Sequence, residues 1–384
     1  MSNPRRHTLS RIGQIALELG APDGDGDPLR EHLSCVVASP DGRTLWLTSD
    51  ETATVERLRL SAEGASFADH ARFSLRDHLA LPGAQDEEAD IEGLALRDGY
   101  LWAVGSHSLA RWRPKKADDD AAALARLTEV RLGANRFLFG RIPLENADPD
   151  ASTLVDKART PDGGKLRPGR LPIAGKPKQL KAAAARSALT AAVCNDAHFG
   201  RFLDVPAKEN GFDIEGIVVL DDRIFVGLRG PVLRGHATIL EIAVAEGKRG
   251  ALALAAVGED GTIYRKHFLK LDGLGIRSLM AHGDDILILA GPTMDLDGPV
   301  RIYAWRRGAS SSAPRAAGVY RGEDVGYVGD LPFGDGDDHA EGMTLLRLPR
   351  STVANLLVVY DGPAQARLRG DHGVLADLFA LPGV

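Results

Sequence analysis

A short acidic motif recurs along the chain and contains its best candidates for chemistry. Residues 90–96 read DIEGLAL, residues 213–219 read DIEGIVV, and residues 339–345 read HAEGMTL. The glutamates of the three copies are Glu92, Glu215 and Glu341. If the fold brings these carboxylates together, they repel one another unless a cation, a basic side chain or protonation neutralises them. Hard oxygen ligands suit Ca²⁺ or Mg²⁺ rather than zinc, so the three glutamates are candidate metal ligands.

Two weaker copies of the motif carry serine in place of the glutamate, at Ser34 and Ser278. A structural explanation of the motif competes with the metal. Each glutamate could accept backbone N–H hydrogen bonds from a neighbouring strand, and it would then recur only because the structural unit recurs. The sequence leaves both explanations open.

Four further residues are candidates for catalysis. Arg229 and Asp361 occupy matching places after the second apolar run of their repeats. An arginine there could hold a phosphate or carboxylate through two parallel hydrogen bonds, or it could be the counter-charge of the glutamates. His107 and His339 are the candidate general bases, because imidazole exchanges protons near neutral pH.

The acidic motif is the first part of a longer repeat. Each copy is followed by a polar turn and a second apolar run, and short β-rich runs joined in this way are typical of hairpins. Ser34 to Glu92 is 58 residues, and the steps from Glu215 to Ser278 and from Ser278 to Glu341 are 63 residues each. This period fits a β-propeller blade with long loops. We therefore predict an all-β fold in which the whole chain, 1–384, forms a single β-propeller with five repeats.

One interval is about twice as long as the others, with 123 residues between Glu92 and Glu215. Six blades are compatible with this spacing, but we favour an insertion at residues 146–200 within the second repeat. It comprises a basic loop, 156–181, followed by an alanine-rich helix. Residues 8–20 alternate polar and apolar side chains, and we predict that they complete the last blade, which closes the ring and removes exposed sheet edges.

Composition and missing motifs exclude several classes of protein. The net charge of −6 makes nucleic acid an unlikely partner, and two cysteines cannot build a disulfide framework. No apolar run is long enough to span a membrane and no apolar secretory segment begins the chain, so we expect a cytoplasmic location. The signature motifs of P-loop nucleotide binding, serine hydrolases and zinc proteases are absent.

The Asp-Ile-Glu-Gly repeats, together with residues 228–235 (LRGPVLRG) and 295–300 (DLDGPV), resemble an uncharacterised bacterial family, domain of unknown function 3616. The resemblance covers roughly residues 33–381 and implies a propeller without an assigned activity. The Asp-x-Glu-Gly strands also look like those of esterase-like and phytase-like propellers, in which calcium and phosphoesters are common themes. Two of the five repeats lack the glutamate, which departs from the phytase-like pattern.

Two functions follow from these observations. The first is a binding propeller that takes a small anionic ligand or a protein partner at the mouth of its channel, which Ser34, Glu92, Glu215, Ser278 and Glu341 would surround. The alternative is a metal-assisted hydrolase, phosphoesterase-like or lactonase-like. In that case the glutamates hold a divalent cation that activates water, and Arg229 holds the anionic substrate.

Overall fold

The chain folds into five blades, each built on four antiparallel strands, and a parallel contact joins the first and last blades into one larger sheet, as seen in a computed structural model. The structure describes residues 6–22, 28–148, 152–174, 180–247, 250–311, 315–349 and 351–381. Within these ranges the prediction of an all-β propeller is confirmed, and the sheets form five blades. No helix of these ranges is long and apolar enough to cross a membrane.

The strands follow one another blade by blade along the chain. The chain begins with β1 (Arg11–Glu18). Blade 1 contains β2 (Leu33–Ala38), β3 (Thr44–Ser49), β4 (Thr54–Leu60) and β5 (Ser66–Ser74). The four strands of blade 2 are β6 (Ile91–Arg97), β7 (Tyr100–Gly105), β10 (Phe139–Pro143) and β13 (Gly169–Arg170). Two short hairpins interrupt this blade. β8 (Ala110–Arg111) and β9 (Val130–Arg131) precede β10, and β11 (Ala158–Arg159) and β12 (Lys165–Leu166) precede β13.

The remaining three blades are more regular. Blade 3 contains β14 (Asp213–Leu220), β15 (Arg223–Leu233), β16 (His236–Glu246), the side strand β17 (Leu252–Ala255) and β18 (Tyr264–Lys270). Blade 4 contains β19 (Gly275–His282), β20 (Asp285–Gly291), β21 (Val300–Trp305) and β23 (Val325–Leu331), while β22 (Gly318–Tyr320) pairs with β18. Blade 5 contains β24 (His339–Leu346), β25 (Asn355–Asp361), the side strand β26 (Leu368–Arg369) and β27 (Gly373–Phe379).

The N-terminal strand supplies the outer strand of the last blade. Within the segment 8–20, β1 pairs antiparallel with β27, so that Ile15 lies opposite Ala376. It also makes a short parallel contact with β5 of blade 1. The first and last strands of the chain therefore close the ring.

Packing between blades explains the glycine of the acidic motif. Five apolar clusters fill the spaces between adjacent blades, and residues from both neighbours contribute to each cluster. Nearer the axis there is no room for side chains. A methyl group at Gly216 would lie 2.9 Å from the backbone nitrogen of Leu279 in the next blade, and one at Gly342 would lie 3.0 Å from that of Val36. The motif glycines thus let neighbouring inner strands touch.

The predicted insertion contains more structure than the sequence indicates, although its residues 149–151 and 175–179 lie outside the described ranges. Its alanine-rich part forms two short helices, Ala183–Arg186 and Ala188–Val193, because the extended residue Ser187 separates them and caps the second. Within blade 2, Phe139–Pro143 is the third strand and Gly169–Arg170 is the outer strand. Earlier in the chain, the sequence analysis missed the helix Asp120–Thr128.

The close approach of inner strands generates a stability prediction. We expect Gly216→Ala to lower the free energy of unfolding by about 1–3 kcal/mol, because the added methyl group must push two inner strands apart. Gly13→Ala is the matched control, since a methyl group at Gly13 meets no atom within 4 Å. Urea denaturation of both variants tests the prediction, and equal stabilities would contradict it.

Candidate functional site at the channel mouth

An irregularity repeated in all five inner strands creates the site. In each blade the inner strand skips one residue in its pairing with the second strand, a β-bulge that redirects the skipped side chain. The skipped residues are Ser34, Glu92, Glu215, Arg277 and Glu341. We call these five residues the bulge ring.

The fourth member of the bulge ring differs from the sequence prediction. The bulge of β19 lies at Arg277, so Ser278 takes the place of the motif glycine and pairs with Leu289. The predicted equivalence of Ser278 with the glutamates is therefore wrong by one residue. The apolar residues of the repeat carry the signal for this shift, because Ile276 and Leu279 align with Ile91 and Leu94 and so place Arg277 at the position of Glu92. Its consequence is chemical, since a guanidinium takes the position of a serine.

The structure brings the three predicted glutamates together. Glu92, Glu215 and Glu341 each offer a carboxylate oxygen, and these oxygens all lie within 4.8 Å of one another. Glu215 is buried, whereas Glu92 and Glu341 are partly exposed. In the ranges that the structure describes, none of the three accepts a hydrogen bond from a backbone N–H. The arrangement therefore differs from the strand-capping role that the sequence had left open.

Two arginines neutralise part of this carboxylate cluster. Arg229 lies 2.5 Å from the Asp213 carboxylate and 2.7 Å from Glu215. Arg277 donates to Glu215 at 3.2 Å and to Glu341 at 2.5 Å through the same nitrogen, Nη1. Arg229 thus contacts one of the three glutamates directly.

A third arginine, Arg136, reaches the same region from the segment before β10. Its guanidinium lies 2.5 Å from Asp90 and 2.9 Å from Glu88, and it donates to the Ser108 hydroxyl at 3.0 Å. The sequence analysis assigned no role to Arg136. Only the fold shows that this loop returns to the start of the inner strand β6.

Two carboxylates of the channel mouth, Glu92 and Asp50, have no such ion pair among the described residues. The charges that act most strongly on Glu92 are those of other carboxylates, with Asp90 first. Burial, and then these charges, raise the pKa of Glu92 well above its usual range. Asp50 follows β3, and its Oδ1 is buried without a hydrogen-bond partner among the described residues. Burial and the charge of Asp90 likewise raise the pKa of Asp50 well above its usual range.

Two further carboxyl groups of the channel mouth are also perturbed. Burial raises the pKa of Glu215 to about 8, against the opposing effect of Arg229 and Arg277. Burial, followed by the charge of Glu341, raises the pKa of Asp361. As predicted, Asp361 lies at the end of a second strand, opposite His339, and its carboxylate is 3.7 Å from His32. His32, Asp50 and Glu51 form a second group that could hold a cation.

The two predicted general bases lie apart from the glutamates. His107 is buried, its Nδ1 donates to the Gly105 carbonyl at 3.0 Å, and burial lowers its pKa to about 4. His339 lies at the rim, where its Nε2 is 3.0 Å from Asp297. In the described part of the chain, neither imidazole hydrogen-bonds to Glu92, Glu215 or Glu341.

The site as a whole offers oxygen ligands on one side and guanidinium groups on the other. Clustered carboxylate oxygens match the preference of Ca²⁺ and Mg²⁺, so the residues present fit such an ion. Arg229 and Arg277 provide the alternative form of neutralisation, but their ion pairs are with Asp213, Glu215 and Glu341. Glu92 is the glutamate that they leave without an ion pair.

The raised pKa of Glu92 generates a pH prediction. The folded-state pKa of Glu92 exceeds its unfolded value of about 4.3. The contribution of Glu92 to the free energy of unfolding is therefore fully present below about pH 4.3 and is lost as the pH rises toward the folded-state pKa. In the presence of a chelator, we expect wild-type stability to fall from pH 5 upward more steeply than that of Glu92→Gln. The exposed Glu63→Gln should follow the wild type. Denaturation at several pH values would contradict the prediction if Glu92→Gln and wild type had equal slopes.

Several solved structures are similar to this chain in overall arrangement. The β-propeller domain of Cps50 (Swd1) from Myceliophteria thermophila is 12% identical, with 97% of this chain and 100% of that chain covered and a TM-score of 0.34. Regucalcin, a calcium-binding protein from Agrobacterium tumefaciens, is 11% identical, with 96% and 97% covered and a TM-score of 0.37. A DUF4221 family member from Bacteroides vulgatus is 8% identical, with both chains fully covered and a TM-score of 0.37.

At the level of sequence, the chain matches no curated protein but does match one protein family. The model of a family described as protein of unknown function (DUF3616) matches residues 32–377. The resemblance seen in the Asp-Ile-Glu-Gly repeats is confirmed, and the chain belongs to this family.

Proposed function

We propose that the protein is a ligand-binding propeller whose channel mouth holds a divalent cation, Ca²⁺ or Mg²⁺, together with a small anionic ligand. The observation that carries the proposal is the position of Glu92. Its carboxylate lies among other carboxylates, and no guanidinium of the described residues pairs with it. A cation bound there would relieve the repulsion that raises its pKa.

The ligand set supports a hard cation rather than a transition metal. Glu92, Glu215 and Glu341 offer only oxygen, and Ca²⁺ takes such ligands at about 2.3–2.6 Å. Two oxygens that bind the same Ca²⁺ are separated by at most about twice the Ca–O distance, or roughly 5 Å. The three carboxylate oxygens meet this condition, because they all lie within 4.8 Å of one another. The cation would supply a positive charge that the repeat lacks at Glu92.

The arginines support an anionic ligand. Arg277 and Glu341 are partly open to the channel, with side chains 12% and 14% exposed. With a cation bound to the carboxylates, the positive charges of Arg277 and Arg229 would be less fully neutralised. Their N–H groups could then donate hydrogen bonds to a phosphate or carboxylate of the ligand. The cation would then join the ligand to the glutamates, while the arginines fix its orientation.

Asp50 favours a second candidate function, metal-assisted hydrolysis of a small anionic ester. A carboxyl group with a raised pKa and a buried, unpartnered oxygen is suited to exchange a proton with a reacting group. Asp50 is close enough to Glu92 to affect its ionisation. In this alternative the bound cation supplies activated water, and Asp50 serves as the general acid or base.

Calcium binding to the chelator-treated protein tests the proposed function. We expect saturable binding of Ca²⁺ to the wild type by isothermal titration calorimetry, and affinity at least tenfold lower in Glu92→Gln, about 1.4 kcal/mol or more. The control variant Glu63→Gln removes one negative charge, as Glu92→Gln does, but at an exposed position. It should bind Ca²⁺ as the wild type does. Circular dichroism establishes that each variant is folded.

Two results would contradict the proposal. One is a wild type that binds neither Ca²⁺ nor Mg²⁺, and the other is a Glu92→Gln protein with undiminished affinity. The hydrolase alternative is tested separately with phosphoester and lactone substrates in the presence of Ca²⁺. It requires turnover by the wild type that Asp50→Asn abolishes without loss of Ca²⁺ binding.

A further inference from the structure

A second charged feature lies away from the channel, on the β11–β12 hairpin of blade 2. Ala158 lies opposite Leu166, and Arg159 lies opposite Lys165. Side chains alternate between the two faces of such a hairpin, so the neighbours Lys157 and Arg167 share a face with Arg159 and Lys165. The other face carries Leu166, which is buried in the cluster between blades 2 and 3, and Ala158 packs against that cluster. We call the four cationic residues the basic face.

The basic face is unfavourable in isolation. Like charges directly opposite one another on paired strands destabilise the pairing, and here Arg159 faces Lys165. Within the described ranges, no carboxylate forms an ion pair with any of the four side chains. The two nearest acids in the chain are engaged elsewhere, Asp156 with His78 at 2.8 Å and Asp162 with the hydroxyl of Thr160. By contrast, the arginines of the channel mouth all have carboxylate partners.

The four cations also surround one cavity. It has a volume of about 350 Å³, and its lining is completed by Asn146, Ala158 and Leu166. Cavities of about 300–1,000 Å³ are the size that small ligands occupy. Among the residues that the structure describes, no carboxylate and no aromatic side chain lines this cavity, so it favours a compact anion over a stacked nucleic-acid base.

We propose that the basic face binds a small molecule with at least two adjacent phosphate groups, such as a diphosphate. The facing pair of Arg159 and Lys165 would hold one phosphate, and the flanking Lys157 and Arg167 would hold the next. Arginine suits this role because its planar guanidinium can donate two parallel hydrogen bonds to a phosphate. The bound anion would replace the repulsion across the hairpin with attraction.

This site is independent of the channel mouth. The hairpin precedes the outer strand β13 of blade 2, whereas Glu92 belongs to the inner strand β6 of the same blade. Anion binding at the basic face therefore requires no cation, and a change at Glu92 leaves it unaffected. This property separates the present inference from the proposed function.

Inorganic pyrophosphate is the probe for the test, titrated calorimetrically into the full chain with a chelator and about 0.15 M salt, where long-range attraction is screened. We expect saturable binding by the wild type and by Glu92→Gln. The double variant Arg159→Gln with Lys165→Gln should bind at least tenfold more weakly. The control, Lys115→Gln with Lys116→Gln, removes the same charge from another exposed loop and should bind as the wild type does.

A measurement without ligand tests the repulsion itself. We expect Lys165→Gln to raise the melting temperature at low salt, and the gain to disappear when pyrophosphate is added, because the anion then stabilises only the wild type. The inference is overturned if the wild type shows no saturation, or if the double variant keeps its affinity. It is also overturned if Glu92→Gln abolishes binding, which would place the anion at the channel mouth.

Discussion

Electrostatic crowding at the axis is the constraint on which the rest of the channel depends. Five inner strands approach so closely that motif glycines such as Gly216 touch the next strand, and the residue before each of these glycines projects into a shared space. When that residue is glutamate, its charge must be neutralised, because a partly dry channel screens charges poorly. The need to neutralise these charges is enough to explain where Arg229 and Arg277 lie, without reference to a ligand.

Departures from the repeat make the channel asymmetric. Among the described residues, guanidinium groups form ion pairs with Asp90, Asp213, Glu215 and Glu341 but not with Glu92. If every blade kept the glutamate, repulsion would rise all round the ring. Because the fourth blade supplies an arginine instead, positive charge is concentrated on one side and negative charge on the other. A symmetric scaffold thereby acquires a polar site with a direction, which is a condition for holding one ligand in one orientation.

The sequence predicts the features that depend on local pattern. Repeated hairpins indicate the propeller, and the Glu-Gly pair indicates a crowded axis where Glu92, Glu215 and Glu341 meet. Features that depend on pairing between distant segments are not visible in that pattern. Asp50 joins the mouth only because its strand ends beside the inner strand, and Arg136 reaches Asp90 from the segment before β10. These interactions become visible only in three dimensions.

The pairing of β1 with β27 has a consequence for how the protein is made. Ile15 is synthesised 361 residues before its partner Ala376. Until β27 has been made, β1 has no partner among the described strands beyond its short parallel contact with β5, and such an open strand edge is a ready template for association with other chains. The bulge ring is likewise incomplete until Glu341 arrives, so any occupant of the channel meets a finished site only after the ring has closed. Such late, long-range closure is intrinsically slow. Ligand occupancy would therefore report that the last blade has been completed.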